Sequence, residues 1–184
     1  MTLRRAAALA AFLQAIVMVL TLSVFPALAQ SDGPQEASQL FKQGQLDRAL
    51  DRVNVYIANR PRDARGRFLK GLILTEQNKR DDAIKVFTDL TQDFPELPEP
   101  YNNLAVLFAA QGQYDKARSL LESAISAHPG YATAHENLGD IYAKMAGEAY
   151  GKALKLDRNN ATANTKLNTL KGLFPAGAAS PAAK

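Results

Sequence analysis

The residue types that most often carry out chemistry are scarce in this chain of 184 residues. It contains no cysteine and only two histidines, His128 and His135. Without cysteine, the chain cannot form disulfides, thiolate nucleophiles or cysteine-ligated zinc and iron–sulfur sites. The histidines lie on either side of a proline turn and have no evident third ligand. We interpret them as a turn residue and a helix-packing residue, with a metal site as the alternative.

Motifs of known catalytic classes are also missing from the sequence. It has no glycine-rich phosphate loop, no nucleophile-elbow serine and no His-Glu-x-x-His sequence. The carboxylates fall on predicted solvated helix faces, whereas paired-acid catalysis needs two acids together in a buried site. We therefore expect a non-enzymatic protein without a metal or cofactor.

The first thirty residues have the pattern of a targeting segment. Two arginines precede the apolar run 6–25, and small residues follow at Ala27 and Ala29, the spacing that signal peptidase reads. We predict a signal peptide over 1–29, cleavage before Gln30, and a periplasmic or secreted bacterial protein. The alternative is an uncleaved membrane anchor, because the run is long enough to cross a hydrocarbon core of about 30 Å.

The charge balance gives no sign of a nucleic-acid partner. Removing the two arginines of the predicted signal peptide leaves 20 basic and 18 acidic residues, a net charge of +2. These charges are interspersed rather than arranged in a basic stripe. We expect protein partners and no nucleic acid.

A constant period of about 34 residues organises the rest of the chain. Four sets of equivalent positions keep this spacing: Pro61, Pro95 and Pro129; Ala49, Ala83 and Ala117; the small residues Ala37, Gly71, Ala105 and Gly139; and the larger Leu40, Leu74, Phe108 and Tyr142. Apolar residues recur at spacings of three and four on both sides of Gly44, Asn78 and Gly112, which predicts two helices per unit. Small residues allow the paired helices to approach closely.

This pattern resembles the tetratricopeptide repeat family, most closely over 101–105 and 112–117, and the resemblance covers about 35–160. It implies an all-α solenoid of three to four helix hairpins closed by a C-terminal capping helix. We predict these segments: a linker 30–34, an array 35–172 with units 35–61, 62–95, 96–129 and 130–158, a capping helix 161–171, and a disordered tail 173–184.

The fourth unit departs from the pattern because it has lost five residues, including its turn. Its apolar and small positions keep helical spacing without a break from Leu138 to Leu156. We predict one continuous helix from about Thr133 to Asp157, roughly 37 Å long at 1.5 Å per residue. Such a helix cannot fold back on itself, so an apolar strip including Met145 and Tyr150 is left available for self-association.

The resemblance also implies a binding surface, because the first helix of each unit lines the inside of such an array. It assigns these residues to a concave groove: Arg65, Phe68, Leu72, Asn102, Asn103, Val106, Glu136, Asn137 and Asp140. Asn103 and Asn137 stand at equivalent positions of successive units, and a primary amide can donate to and accept from a peptide bond. Such a pair could hold an extended peptide, unless the asparagines are common structural residues of the family.

A basic patch lies between the first and second units. Five cations occur within eleven residues beside a single acid, Asp63: Arg60, Arg62, Arg65, Arg67 and Lys70. Cations near a helix N-terminus are disfavoured by roughly 0.3 to 1 kcal/mol each, so helix stability does not explain them. They indicate either a solvated turn or a contact with an anionic partner.

Together these patterns predict an adaptor or scaffold of the cell envelope. We expect it to bind an extended segment of another envelope protein in its groove. The alternative is a structural protein that self-associates through the irregular fourth unit.

Overall fold

The computed structural model describes residues 33–173, and this part of the chain is entirely α-helical apart from its connections. The eight helices are α1 (Gly33–Lys42), α2 (Leu46–Asn59), α3 (Ala64–Glu76), α4 (Arg80–Asp93), α5 (Pro98–Ala109), α6 (Tyr114–Ala127), α7 (Ala132–Leu156) and α8 (Ala161–Leu173). The predicted all-α fold is confirmed. The predicted signal peptide 1–29 and its cleavage site, with Ala27, Ala29 and Gln30, and residues 174–184 of the predicted tail lie outside the described residues.

Successive helices form a one-dimensional array. The hairpins α1–α2, α3–α4 and α5–α6 pack in chain order, and α7 and α8 follow them. First helices of neighbouring units also touch, α1 with α3 and α5 with α7. Each unit therefore buries its apolar face against its neighbours, as expected for a solenoid. Within 33–173, no helix combines the length and apolarity needed to cross a membrane.

Three tight turns close the hairpins. Gly44, Asn78 and Gly112 adopt positive φ angles of 71°, 58° and 72°. Glycine enters this left-handed region without a steric penalty, and asparagine is one of the few other residues that tolerates it. The turn residues picked out by the sequence period therefore reverse the chain where the pattern predicts.

The small residues of the repeat set the distance between paired helices. At Gly71, an added Cβ would lie 2.5 Å from the Phe87 ring of α4, so the two helices touch directly. Ala105 is likewise buried, in a cluster with Ala117 and Leu121. Gly139 differs, because nothing lies within 4 Å of a Cβ built there. The small residue therefore allows close packing of the paired helices in the second and third units, but not in the fourth.

The fourth unit lacks its covering helix because α7 continues straight for 25 residues. This confirms the predicted continuous helix. After the turn at 157–160, α8 packs on the second half of α7, where Leu167 lies 3.9 Å from the Cβ position of Gly147 and the Lys166 Nζ lies 5.6 Å from the centre of the Tyr150 ring. The first half of α7 packs instead on α5 and α6, where Ala134 and Ile141 share a core cluster with Ala105 and Ala117.

Two helix ends differ by two residues from the predicted bounds. The linker 30–34 was expected to precede the first helix, but α1 already begins at Gly33. Proline is compatible with the first turn of a helix, because its missing N–H would have no intrahelical partner there, so Pro34 does not delay the start. The capping helix also continues beyond 171, to Leu173, which therefore belongs to α8 and not to the tail.

Candidate functional site

A groove with a volume of about 500 Å³ lies between α1 and α3, the first helices of the first two units. Eleven residues line it: Pro34, Gln35, Ser38, Gln39 and Lys42 from α1, Tyr56 and Arg60 at the end of α2, and Arg65, Phe68, Leu69 and Leu72 from α3. None of the eleven is acidic. The groove therefore combines an apolar wall, a polar wall and a positive charge.

The apolar wall is anchored in the core. The Phe68 ring packs against Phe87, with ring centroids 5.6 Å apart and planes at 59°. Leu69 is buried in the core cluster of the first unit, whereas Phe68 and Leu72 are half-buried and pack on the cluster of the second. Because these side chains pack against the core, the apolar wall is already formed before any ligand binds.

Asp63, at the N-terminus of α3, fixes the positions of Arg65 and Tyr56 at one end of the groove. Its Oδ1 accepts hydrogen bonds from the backbone N–H groups of Arg65 and Gly66, at 2.9 and 3.3 Å, which caps the helix. Its Oδ2 accepts from the Tyr56 hydroxyl at 2.5 Å and from the Arg65 guanidinium at 3.1 Å. The hydrogen bond from Arg65, followed by that from Tyr56, lowers the pKa of Asp63 from 3.8 to about 2, and Asp63 in turn raises the pKa of Arg65.

The five cations of the basic patch divide between different surroundings. Arg60 and Arg65 line the groove, and the Arg60 guanidinium lies 5.1 Å from the centre of the Tyr56 ring. Arg67 instead points to α4, where it pairs with Asp93 at 2.5 Å and lies 5.8 Å from the Phe94 ring. Arg62 is exposed and Lys70 half-buried, and neither lines the groove. The patch is therefore not one surface.

The structure corrects the prediction that the asparagines line an open groove. Asn102, Asn103 and Asn137 are only 0%, 4% and 5% exposed. The Asn137 Nδ2 donates to Asn102 Oδ1 at 2.7 Å, joining α7 to α5, and the Asn103 Nδ2 donates to the Glu99 carbonyl at 2.9 Å. A buried amide is stabilised by such internal bonds. Asn102 and Asn137 thus join two neighbouring units, Asn103 bonds within its own helix, and none of the three forms an open groove wall.

The two histidines lie in different surroundings. His135 Nε2 lies 3.0 Å from the Pro129 carbonyl, and His128 is exposed beside the turn. Across 33–173, His, Asp and Glu side chains form no cluster of three that could hold a metal ion.

Comparison with known families agrees with this geometry. Two family models, both described as tetratricopeptide repeat, match residues 35–98 and the overlapping segments 74–138 and 108–149. Together they span more than half of the chain. The chain belongs to the tetratricopeptide repeat family. Proteins of this family generally mediate protein–protein interactions.

Curated relatives share part or most of this tetratricopeptide repeat array. The chloroplastic protein PYG7 of Arabidopsis thaliana is 36% identical over 84 residues, which cover 43% of this chain and 28% of PYG7. The chain thus matches under a third of PYG7's length. The uncharacterized protein ycf37 of Guillardia theta is 29% identical over 145 residues, covering 73% of this chain and 82% of ycf37.

Solved structures share the fold. MamA from Desulfovibrio magneticus superimposes with a TM-score of 0.57 at 20% identity, covering 77% of this chain and 82% of MamA. YrrB, described as a tetratricopeptide repeat protein with an unusual peptide-binding site, gives a TM-score of 0.54 at 17% identity, covering 77% of this chain and 75% of YrrB.

The repeat pattern identified some of the residues that line the groove and could have identified others. Arg65, Phe68 and Leu72, three of the residues expected in a concave groove, lie along this groove, and their role in binding stays a prediction. The residues of α1 were missed, although Pro34 and Ser38 stand one period before Phe68 and Leu72 and the repeat could have supplied them. The remaining predicted residues do not line this groove: Val106 and Asp140 are half-buried, and Glu136 is exposed.

Proposed function

We propose that this protein is a non-enzymatic adaptor that binds an extended segment of another protein in the groove between α1 and α3. The observation that carries the proposal is the groove lining, where an apolar wall stands beside three cations, one of them paired with Asp63 outside the lining, and no acid lines the groove. This composition fits a segment with an apolar side chain next to an acidic side chain. The peptide-binding site named for YrrB supports the use of this fold to bind peptides.

The place of action proposed for this adaptor is the bacterial cell envelope. The support is the sequence of residues 1–29, with its arginines, apolar run and small residues at Ala27 and Ala29. An envelope protein with an exposed extended segment is then the expected partner.

The proposal is tested with an array of seven-residue peptides that vary apolar, acidic and basic content, incubated with the purified chain. We expect enrichment of peptides that combine an apolar with an acidic residue. Lys42→Glu reverses a charge that lines the groove and should weaken binding of the enriched peptides by about tenfold, the scale of a charge-assisted hydrogen bond lost.

Arg62→Glu is the matched control. It makes the same change of charge within the basic patch but outside the groove, so we expect it to leave peptide affinity within about twofold of the parent. Equal weakening by both variants would show a diffuse electrostatic effect and refute the groove as the site. Enrichment of basic peptides would refute the proposed ligand chemistry.

A further inference from the structure

The first half of α7 has a face that is covered in the other units. In the second unit, Phe87 lies on Gly71, and in the third, Ala105 is buried against α6. In the fourth unit, the space around Gly139 is open to 4 Å, and Tyr142 is 50% exposed. This half of α7 therefore has the packing surface of a first helix without a second helix on it.

The second half of α7 has the converse surface. Beyond the missing turn, each residue of α7 is equivalent to a residue of α6 one repeat period earlier, with the period shortened by the five lost residues. Ala146, Tyr150 and Ala153 thus occupy the positions of Ala117, Leu121 and Ala124. The three residues of α6 are fully buried, whereas their equivalents in α7 are only half-buried. This half thus resembles a second helix that lacks its first helix.

We propose that a second copy of the chain supplies both missing helices. In this arrangement, two α7 helices pair antiparallel about a two-fold axis, with Gly139 of each opposite Tyr150 of the other, as Gly71 lies opposite Phe87 within the second unit. At 100° per residue, Gly139, Tyr142, Ala146, Tyr150 and Ala153 lie within about 40° of one line along the helix. One straight helix therefore presents both surfaces on the same side. This proposal goes beyond the adaptor function and is independent of the groove.

The charges at the contact are complementary. Within the array, Asn102 of α5 accepts a hydrogen bond from Asn137 of α7, the first helix of the next unit. In the paired arrangement, α7 of one copy takes the place of α5, and α8 of the other takes the place of α7. The residues at the two equivalent positions are Glu136, one full period after Asn102, and Lys166, one shortened period after Asn137. A carboxylate thus meets an ammonium group where the single chain has an amide pair.

The charges around this ion pair follow the same arrangement, with acids on α7 and bases on α8. Asp140 lies one turn beyond Glu136 on α7, whereas α8 carries Lys166 and Lys171 and no acid. Neighbouring helices of the two copies therefore attract each other. The loss of five residues supplies the physical reason for exchange, because a connection too short to reverse direction forces a helix to find its partner in another copy.

The absence of native cysteine allows a direct test by disulfide cross-linking. In the double variant Gly139→Cys with Tyr150→Cys, the purified full chain should form a covalent dimer on mild oxidation, seen by non-reducing electrophoresis. Within one copy the two positions are about 16 Å apart along the helix, beyond the roughly 4.4–6.8 Å between Cα atoms that a disulfide spans. The matched control is Gly139→Cys with Lys152→Cys. It places the second thiol about 160° around the helix from position 150 and should cross-link at least tenfold less.

A second variant distinguishes exchange from other kinds of pairing. Inserting Gln-Gly-Gln-Tyr-Asp after Lys144, copied from residues 111–115, restores the turn, so the thiols of the first double variant should then join within one chain. The expected product is an oxidised monomer. A covalent dimer that persists with the insertion, or a parent chain that sediments as a monomer at concentrations of about 100 μM, would overturn the proposal.

The ion pair is tested by charge reversal in sedimentation equilibrium. Glu136→Lys and Lys166→Glu should each raise the dimer dissociation constant by at least about threefold, because each variant places two like charges together at the contact, and the combined variant should restore it. If the combined variant is weaker than either single variant, the two side chains do not meet and the assigned register is wrong.

Discussion

Replacing Asp63 with asparagine tests the network that fixes one end of the groove. Asparagine keeps a side-chain oxygen that can accept from the N–H groups of Arg65 and Gly66, and it is a good helix N-cap. The substitution therefore removes the charge and largely preserves the cap. What is lost is the favourable interaction of the carboxylate with the Arg65 guanidinium and the Tyr56 hydroxyl.

The magnitude follows from the pKa of the Asp63 carboxyl, which is lowered from 3.8 to about 2. This difference corresponds to about 2 kcal/mol of unfolding free energy at neutral pH, and the side chain is only 17% exposed. Because the folded state has the lower pKa, the stabilisation is fully present above about pH 5. It falls to roughly half of this at pH 3 and to a small remainder at pH 2.

Urea unfolding followed by far-UV circular dichroism measures this contribution. The difference in unfolding free energy between the parent and Asp63→Asn should be about 2 kcal/mol at pH 7 and should shrink by roughly half at pH 3. Asp89→Asn removes an exposed acid of α4 and gives the baseline for losing one negative charge. A difference for Asp63→Asn that stays constant from pH 7 to pH 3 would refute the proposed electrostatic origin.

Three further predictions concern packing and processing. Gly71→Ala places a methyl group 2.5 Å from the Phe87 ring and should lower the unfolding free energy by about 1–3 kcal/mol, whereas Gly151→Ala, with open space around it, should raise it by about 1 kcal/mol. Both are measured by urea unfolding, and a similar effect of the two would contradict the packing argument. Asn137→Ala breaks a buried hydrogen bond and should cost about 1–3 kcal/mol of stability while leaving peptide affinity unchanged; an affinity loss without destabilisation would return this residue to a ligand site. Intact-mass measurement of the exported protein should show a chain that begins at Gln30, and retention of residues 1–29 would favour the anchor.

The array itself could be predicted from the sequence because its information is local and repeated. The repeat period identified the turns at Gly44, Asn78 and Gly112, and a helix hairpin needs only a turn and two apolar faces to form. The continuous helix α7 was predicted for the same reason. Helical spacing without a break, together with a missing turn, leaves the chain no way to reverse.

The groove was predicted only in part, because its walls come from helices far apart in sequence. The sequence identified Phe68 and Leu72 in α3, and the repeat period could also have supplied their counterparts Pro34 and Ser38 in α1. The other α1 residues of the groove became evident only when the two helices were seen side by side. The asparagines were assigned wrongly for a related reason. Position in a repeat gives the approximate face of a helix, whereas an offset of one residue decides whether an amide meets a ligand or the neighbouring unit.

The sequence by itself therefore determined the fold class, the positions of the hairpin turns and the irregularity of the fourth unit, since these follow from periodicity along the chain. Only the tertiary structure decided which side chains meet across units. It joined Asn137 to Asn102, turned Arg67 toward Asp93, and left Gly139 uncovered while Gly71 is in contact with Phe87. Such contacts depend on the distance and rotation between helices, which result from all the packed side chains together and have no local signal.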